Sequence, residues 1–275
     1  MKKSMNAIGM MDSGIGGLTV LKAVKALLSK ESIVFVGDNA RNPYGPRRPE
    51  EVVQFARQIA HFLIEKYDIK VFVIACNTAT ACALPVLQKE LNIPVIGVID
   101  SGAKAAVKTS QTGRIGLIAT EGTVKSAKYQ DEIHSLKPGA KVFAQAEPDF
   151  VQLVEKNTYQ TTAAEEEVAE HLQDFGADKI DTLILGCTHF PLLTKSIQKA
   201  VGSGVKLVDA GAATAVDLAK SLKSMDLLDT ESAAAASYEL YTTGPVDAFE
   251  VIATDWLGQG DWHFAHLPVE ELEQK

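Results

Sequence analysis

The chain has 275 residues, 46% of them hydrophobic, enough for one large domain or two ordinary ones, each with a sizeable core. A formal net charge of -8 disfavours nonspecific contact with nucleic acid, and three cysteines without a C-x-x-C pair argue against a disulfide framework or a structural zinc site and suit a reducing compartment, the cytoplasm. The N-terminal stretch MKKSMNAIGMMDSG is interrupted by Asn6 and ended by Asp12, too early for a signal peptide or a membrane span, so neither nucleic acid nor membrane is an expected partner.

Along the chain, short apolar runs alternate with stretches of helical periodicity, the pattern of β-α units on a parallel sheet. The expected strands are AIGMM, SIVFVG, KVFVIA, PVIGVI, RIGLIA, KVFAQA, DTLILG and VKLVD. The clearest helix covers 50–66, with Pro49 before it and Val52, Phe55, Ile59, Phe62 and Leu63 on one apolar face. Other helices are expected to begin near Gly17, Thr78, Glu121, Pro191 and Ala212. Between strand and helix, the loop NARNPYGPRRP is stiffened by its prolines and carries Pro43, Tyr44 and Gly45, a plausible wall or lid over a strand end. Its arginines, Arg41, Arg47 and Arg48, read as ordinary solvated charges.

Two stretches echo each other. KVFVIACNTATACALPVLQKEL and DTLILGCTHFPLLTKSIQKAV both run strand, small residue, cysteine, polar pair, amphipathic helix. Such an echo fits an α/β chain of two similarly built domains, each a mainly parallel sheet flanked by helices, sharing one cleft at the carboxyl ends of their strands. The expected division is 1–97 with 211–275 for the first domain and 98–210 for the second.

A cysteine at a strand end and helix start receives backbone N–H groups and the positive end of the helix dipole, which should lower its pKa. Cys76 and Cys187 share that setting, whereas Cys82 falls inside a helix and reads as core. Singly, each of the first two also reads as a small buried hydrophobe. As a matched pair they suit two-base proton transfer, one thiolate removing a proton from a carbon as the opposite thiol returns one. With an ordinary pKa of about 8.5, roughly 3% of each thiol is ionised at pH 7. Ideal tuning of the charge states then gains about eightfold, near 1.2 kcal/mol. Most of the rate must come from positioning and exclusion of water.

Asn77, Thr78 and Thr188 stand at helix starts, where they either cap the helix or collect a carboxylate. The turn MMDSGIGGLTV lacks the third glycine of a dinucleotide fingerprint and the lysine of a P-loop; Asp12 and Ser13 at its strand end either shape the turn or face the cleft. Asp38, ending SIVFVGD, has a similar setting. His189 lies two residues from Cys187, where it could poise the thiol's charge or act as an acid. With Cys187 as nucleophile it would alternatively suggest a thiol hydrolase, which leaves Cys76 without a task. A noncatalytic two-lobed amino acid binder is a further alternative. No metal-ligand spacing is present in the sequence, and neither metal nor cofactor is implied.

DSGIGG, GDNARNPYGPR, ACNTAT and GCTHFP, in this order and at these separations, resemble the cofactor-independent aspartate/glutamate racemase family, over about residues 8 to 217 with a looser tail. The resemblance implies two pseudo-symmetric α/β domains with the active site between them and a homodimer. It also implies interconversion of L- and D-glutamate without pyridoxal phosphate, in the cytoplasm, supplying D-glutamate for peptidoglycan. An aspartate or hydantoin racemase is the alternative within the family, and His189, where aspartate-type relatives tend to carry an acidic residue, favours glutamate. By position, Cys76 and Cys187 match the two bases. Asp12 with Ser13, Tyr44 with Gly45, Asn77 with Thr78, and Thr188 with His189 match the substrate-binding pairs. Asp38 resembles the carboxylate near the first cysteine, Glu155 the glutamate that supports the histidine, and Thr120 with Thr123 a loop that approaches the substrate. Glu147 with Pro148 departs from the cysteine and proline that many relatives carry there.

Overall fold

The computed structural model describes residues 6–230 and 235–274; residues 1–5, which carry part of the N-terminal reading, lie outside the described residues. The first sheet begins with β1 (Ile8–Asp12), α1 (Leu18–Leu27), β2 (Ile33–Gly37), α2 (Pro49–Tyr67), β3 (Val71–Ile74), α3 (Asn77–Glu90) and β4 (Val95–Gly97). Helix α4 (Val98–Thr109) then leads to β5 (Arg114–Ala119), α5 (Glu121–Lys125), α6 (Lys128–Leu136), β6 (Lys141–Ala146), α7 (Pro148–Glu155), α8 (Thr162–His171), α9 (Phe175–Asp178), β7 (Thr182–Gly186), α10 (Thr194–Val201) and β8 (Lys206–Asp209). The chain returns through α11 (Ala210–Ser224) to β9 (Tyr238–Thr242), α12 (Val246–Leu257), β10 (Trp262–His266) and α13 (Val269–Glu273).

Among the described residues these strands form a six-stranded sheet in the order β10-β9-β2-β1-β3-β4 and a four-stranded sheet in the order β6-β5-β7-β8. Every pairing is parallel. Parallel sheets are covered on both faces, which is why their strands read as continuous apolar runs instead of alternating ones. In β1, Ile8 and Met10 point into a core shared with α1 residues Leu18, Leu21 and Val24, and Met11 points the other way, toward Val52, Ile59 and Phe62 of α2. Each such fully buried aliphatic or aromatic side chain contributes about 1.5–3 kcal/mol.

Helix α2 forms where expected, with Pro49 in its first turn and Val52, Ile59, Phe62 and Leu63 buried. Two expectations need correction. PVIGVI is not one strand: β4 stops at Gly97, and Val98 and Ile99 open α4, with Ala103 and Ala106 beside them on its buried face. Burial against neighbouring helices overrides the strand preference of β-branched residues there. Arg41, read as a solvated charge, is buried. Its guanidinium donates from Nε to Asp38 at 2.7 Å and from Nη1 to Gln58 at 2.6 Å, and stacks over Phe55 at 4.1 Å.

Candidate active site

Both sheets reverse their winding direction. From β1 the chain moves outward to β2 and then back to β3 on the opposite side of β1, so a crevice opens between the carboxyl ends of β1 and β3. The second sheet does the same between β5 and β7. Open α/β sheets hold ligands at such points. Here both crevices contribute to one cavity of about 200 Å³, small beside the roughly 300–1,000 Å³ of drug-sized ligand sites and suited to a small metabolite.

Of the residues expected at the site, Ser13, Pro43, Tyr44, Gly45, Cys76, Asn77, Thr78, Thr120, Cys187, Thr188 and His189 line the cavity. Asp12, Asp38, Thr123 and Glu155 stand behind these. Asp12 is fully buried, with Oδ2 accepting from the N–H groups of Gly14 at 3.1 Å and Gly17 at 2.9 Å, and Oδ1 from the Thr188 hydroxyl at 3.4 Å. Asp38 accepts from Arg41, from the Tyr44 hydroxyl in a short hydrogen bond, and from the Thr243 hydroxyl at 2.9 Å. It thereby pins the wall residue Tyr44. Thr123 joins Thr78 and Thr120 in a hydroxyl cluster, with Thr78 and Thr120 2.9 Å apart across the two halves.

The two thiols differ in their surroundings. Cys76 caps α3, its sulfur 3.5 Å from the Ala79 N–H and 3.6 Å from the Ser13 hydroxyl. The expectation of a depressed pKa fails there. Burial and the negative charge of Asp12 outweigh the Ala79 and Ser13 hydrogen bonds, and the Cys76 thiol is pushed up to about 12. Cys187 instead precedes a short 3-10 turn, Phe190–Leu193, so the two settings are echoes and not copies. Its sulfur lies 3.6 Å from His189 Nδ1, and His189 Nε2 lies 2.8 Å from Glu155 Oε1. Burial acts to lower the His189 pKa, but the Cys187 sulfur and the Glu155 carboxylate outweigh it and hold the imidazolium up at about 10. Cys187 therefore has the His189 imidazolium beside it. Asp12 is raised above the usual carboxylate range by burial, partly offset by His189 and by the Gly17 and Gly14 N–H groups.

Sequence reasoning missed Asn42, Pro46, Glu121, Pro148, Val151 and Gln152, which also line the cavity. The helical period of PDFVQLVE held a signal for part of this wall: Phe150 and Val154 pack into the core with Phe190, Val151 joins that core at its edge, and Val151 and Gln152 line the cleft. Asn42 donates from Nδ2 to Glu155 Oε1 at 3.3 Å, tying the loop after β2 to α7. The departure at Glu147 is accommodated by His171, whose Nδ1 lies 2.7 Å from the buried Glu147 carboxylate. Ligand-type atoms of Asp149, Glu167 and His171 lie within 4.8 Å of one another. Glu167 and His171 are four residues apart on α8 and Asp149 joins them from α7, and none of them lines the cavity. Among the described residues no helix is long and apolar enough to cross a membrane.

Comparison with known proteins agrees with this geometry. Residues 8–218 match the model of a family described as Asp/Glu/Hydantoin racemase. The glutamate racemase of Lactiplantibacillus plantarum is 52% identical over 262 residues, 95% of this chain and 96% of that protein. The crystal structure of glutamate racemase isoform RacE1 from Bacillus anthracis superposes with a TM-score of 0.91 at 40% identity, covering 96% of this chain and 98% of that one. A Francisella tularensis glutamate racemase solved with D-glutamate gives a TM-score of 0.89 at 33% identity over 99% of this chain and 100% of that one. With two cysteines facing one cavity at paired strand ends and likeness over nearly the whole length, the chain belongs to the Asp/Glu/hydantoin racemase family.

Proposed function

We propose that the chain is a glutamate racemase that moves the Cα proton of glutamate between two sulfurs. The observation that carries this reading is that Cys76 and Cys187, from the two crevices, line the same small cavity in opposite electrostatic settings. In one direction the Cys187 thiolate takes the Cα proton, the electron pair stays on Cα next to the carboxylate, and the Cys76 thiol delivers its proton to the other face. The reverse direction exchanges the roles, Cys76 acting on the D form and Cys187 on the L form. Burial and the charge of Asp12 keep Cys76 protonated, and bringing the substrate ammonium into the cavity offsets the Asp12 part of this. His189, held by Glu155, stabilises charge on the Cys187 side, and Asp12 and Asp38 act from behind the wall. Ser13, Tyr44, Gly45, Asn77, Thr78, Thr120, Thr123 and Thr188 bind or shape the substrate site, with Pro43 in the loop above it.

Glutamate, ahead of aspartate, is supported by relatives of about half identity that carry that activity. A homodimer in the cytoplasm supplying D-glutamate to peptidoglycan follows from the same reading. Strand membership supports the division of the chain into 1–97 with 211–275 and 98–210. Purified protein without added cofactor should convert either glutamate enantiomer to the racemate, followed by polarimetry. Cys76→Ser and Cys187→Ser should each lower kcat by about 10²–10⁴, the usual worth of a positioned acid or base, with unchanged circular dichroism. Racemisation at the unsubstituted rate by both variants would overturn the mechanism.

A further inference from the structure

Asn77 opens α3 beside Cys76 and lines the cavity. Its amide has an accepting end and a donating end. Oδ1 is taken: the Tyr129 hydroxyl donates to it at 2.8 Å in a buried hydrogen bond. Nδ2 has no hydrogen-bond acceptor among the described residues, and Asn77 lines the cavity. Tyr129 comes from α6, in the other half of the fold, where it is fully buried among Ile99, Ala103 and Ile133. Burial first, and then the charges of Asp209 and Cys187, push its ionisation far above the ordinary phenol range, so it stays a protonated, neutral hydroxyl. The packing around the hydroxyl is close: a Cβ at Gly102 would stand 3.0 Å from both the Tyr129 oxygen and the Ala210 Cβ.

The Tyr129 hydroxyl holds the amide in the cavity wall, and because an oxygen facing the cavity would repel a carboxylate, an anionic ligand selects the orientation seen here, in which Oδ1 accepts from Tyr129 and Nδ2 faces the cavity. We infer that Tyr129 is a positioning residue for the racemase: its hydroxyl holds the Asn77 amide in the cavity wall, where Nδ2 faces the substrate as a donor to a carboxylate oxygen. This rests on the reading of Asn77 as a substrate ligand. It adds a function to a residue that touches neither sulfur nor substrate, and it couples substrate grip to the fit of α6 against α3.

The test is a double-mutant cycle of Tyr129→Phe and Asn77→Ala, with KM and kcat measured for both enantiomers and melting curves for every variant. Tyr129→Phe keeps the ring and removes only the donor. The expected result is a rise in KM of about tenfold for both enantiomers, the scale of a hydrogen bond that serves a charged group. The accompanying change in kcat should stay within about threefold, with a near-normal melting transition. In the Asn77→Ala background the same change should shift KM less than about twofold. A normal KM for Tyr129→Phe beside a raised KM for Asn77→Ala would overturn the inference and leave the Asn77 reading standing. An unaffected Asn77→Ala would remove the Asn77 reading itself. An equal effect of Tyr129→Phe in both backgrounds, or loss of its melting transition, would make the hydroxyl structural and overturn the inference too.

Discussion

His189 carries the clearest pH signature in the site. Histidine in an unfolded chain titrates near 6.5, and His189 in the fold titrates at about 10. Across that window the folded chain keeps a proton that the unfolded chain has lost. The contribution is therefore whole below about pH 6.5 and is lost as pH rises through about 10. Denaturant unfolding from about pH 6 to about pH 10 should lose stability more steeply in the unsubstituted protein than in His189→Asn, and parallel slopes would contradict the assigned charge. At this scale the sequence was informative about residue type and poor about electrostatics. Strand, cysteine and polar pair located both thiols, but the helix-start argument predicted a depressed Cys76 pKa. It could not include the Asp12 carboxylate, which reaches Cys76 only through the parallel pairing of β1 with β3. Tyr129 and Asn42 were invisible for a similar reason, since their partners are 52 and 113 positions away.

At the scale of elements, the turn after β1 packs tightly against the other half. A Cβ at Gly16 would lie 2.3 Å from the Thr188 hydroxyl oxygen and 2.6 Å from His189 Nδ1. The Thr19 hydroxyl, one turn on, donates to the Thr188 carbonyl at 2.9 Å. Glycine at 16 is thus required by close approach across the cleft, and backbone strain is not involved. Gly16→Ala should displace Thr188 and His189 together, lowering kcat/KM and costing about 1–3 kcal/mol of stability as overpacking does. An alanine variant with normal kinetics and unfolding would contradict this packing. Strands were legible because doubly covered parallel sheets demand unbroken apolar runs, and α2 was legible from its apolar face. The β4–α4 junction was not, because Val98 and Ile99 have the composition of a strand and the burial of a helix. The face of α7 that meets the cleft was not legible either, because it depends on Phe190 packing against Phe150.

For the whole molecule, the arrangement that matters is two winding reversals aimed at one cavity. Each sheet supplies one sulfur, and the halves are fastened by hydrogen bonds between Thr78 and Thr120, Asn42 and Glu155, Thr188 and Asp12, and Tyr129 and Asn77. The internal echo in the sequence pointed to this plan, since two cysteines in matching frames have reason to meet. The size of the cavity and the asymmetry of its two walls required the folded chain. The central claim is that different sulfurs remove and deliver the proton. In heavy water, the initial product from either glutamate enantiomer should then carry deuterium at Cα, while the unreacted substrate keeps its original hydrogen. Product that retains the substrate's own hydrogen, in either direction, would mean a single group serving both faces and would contradict the account.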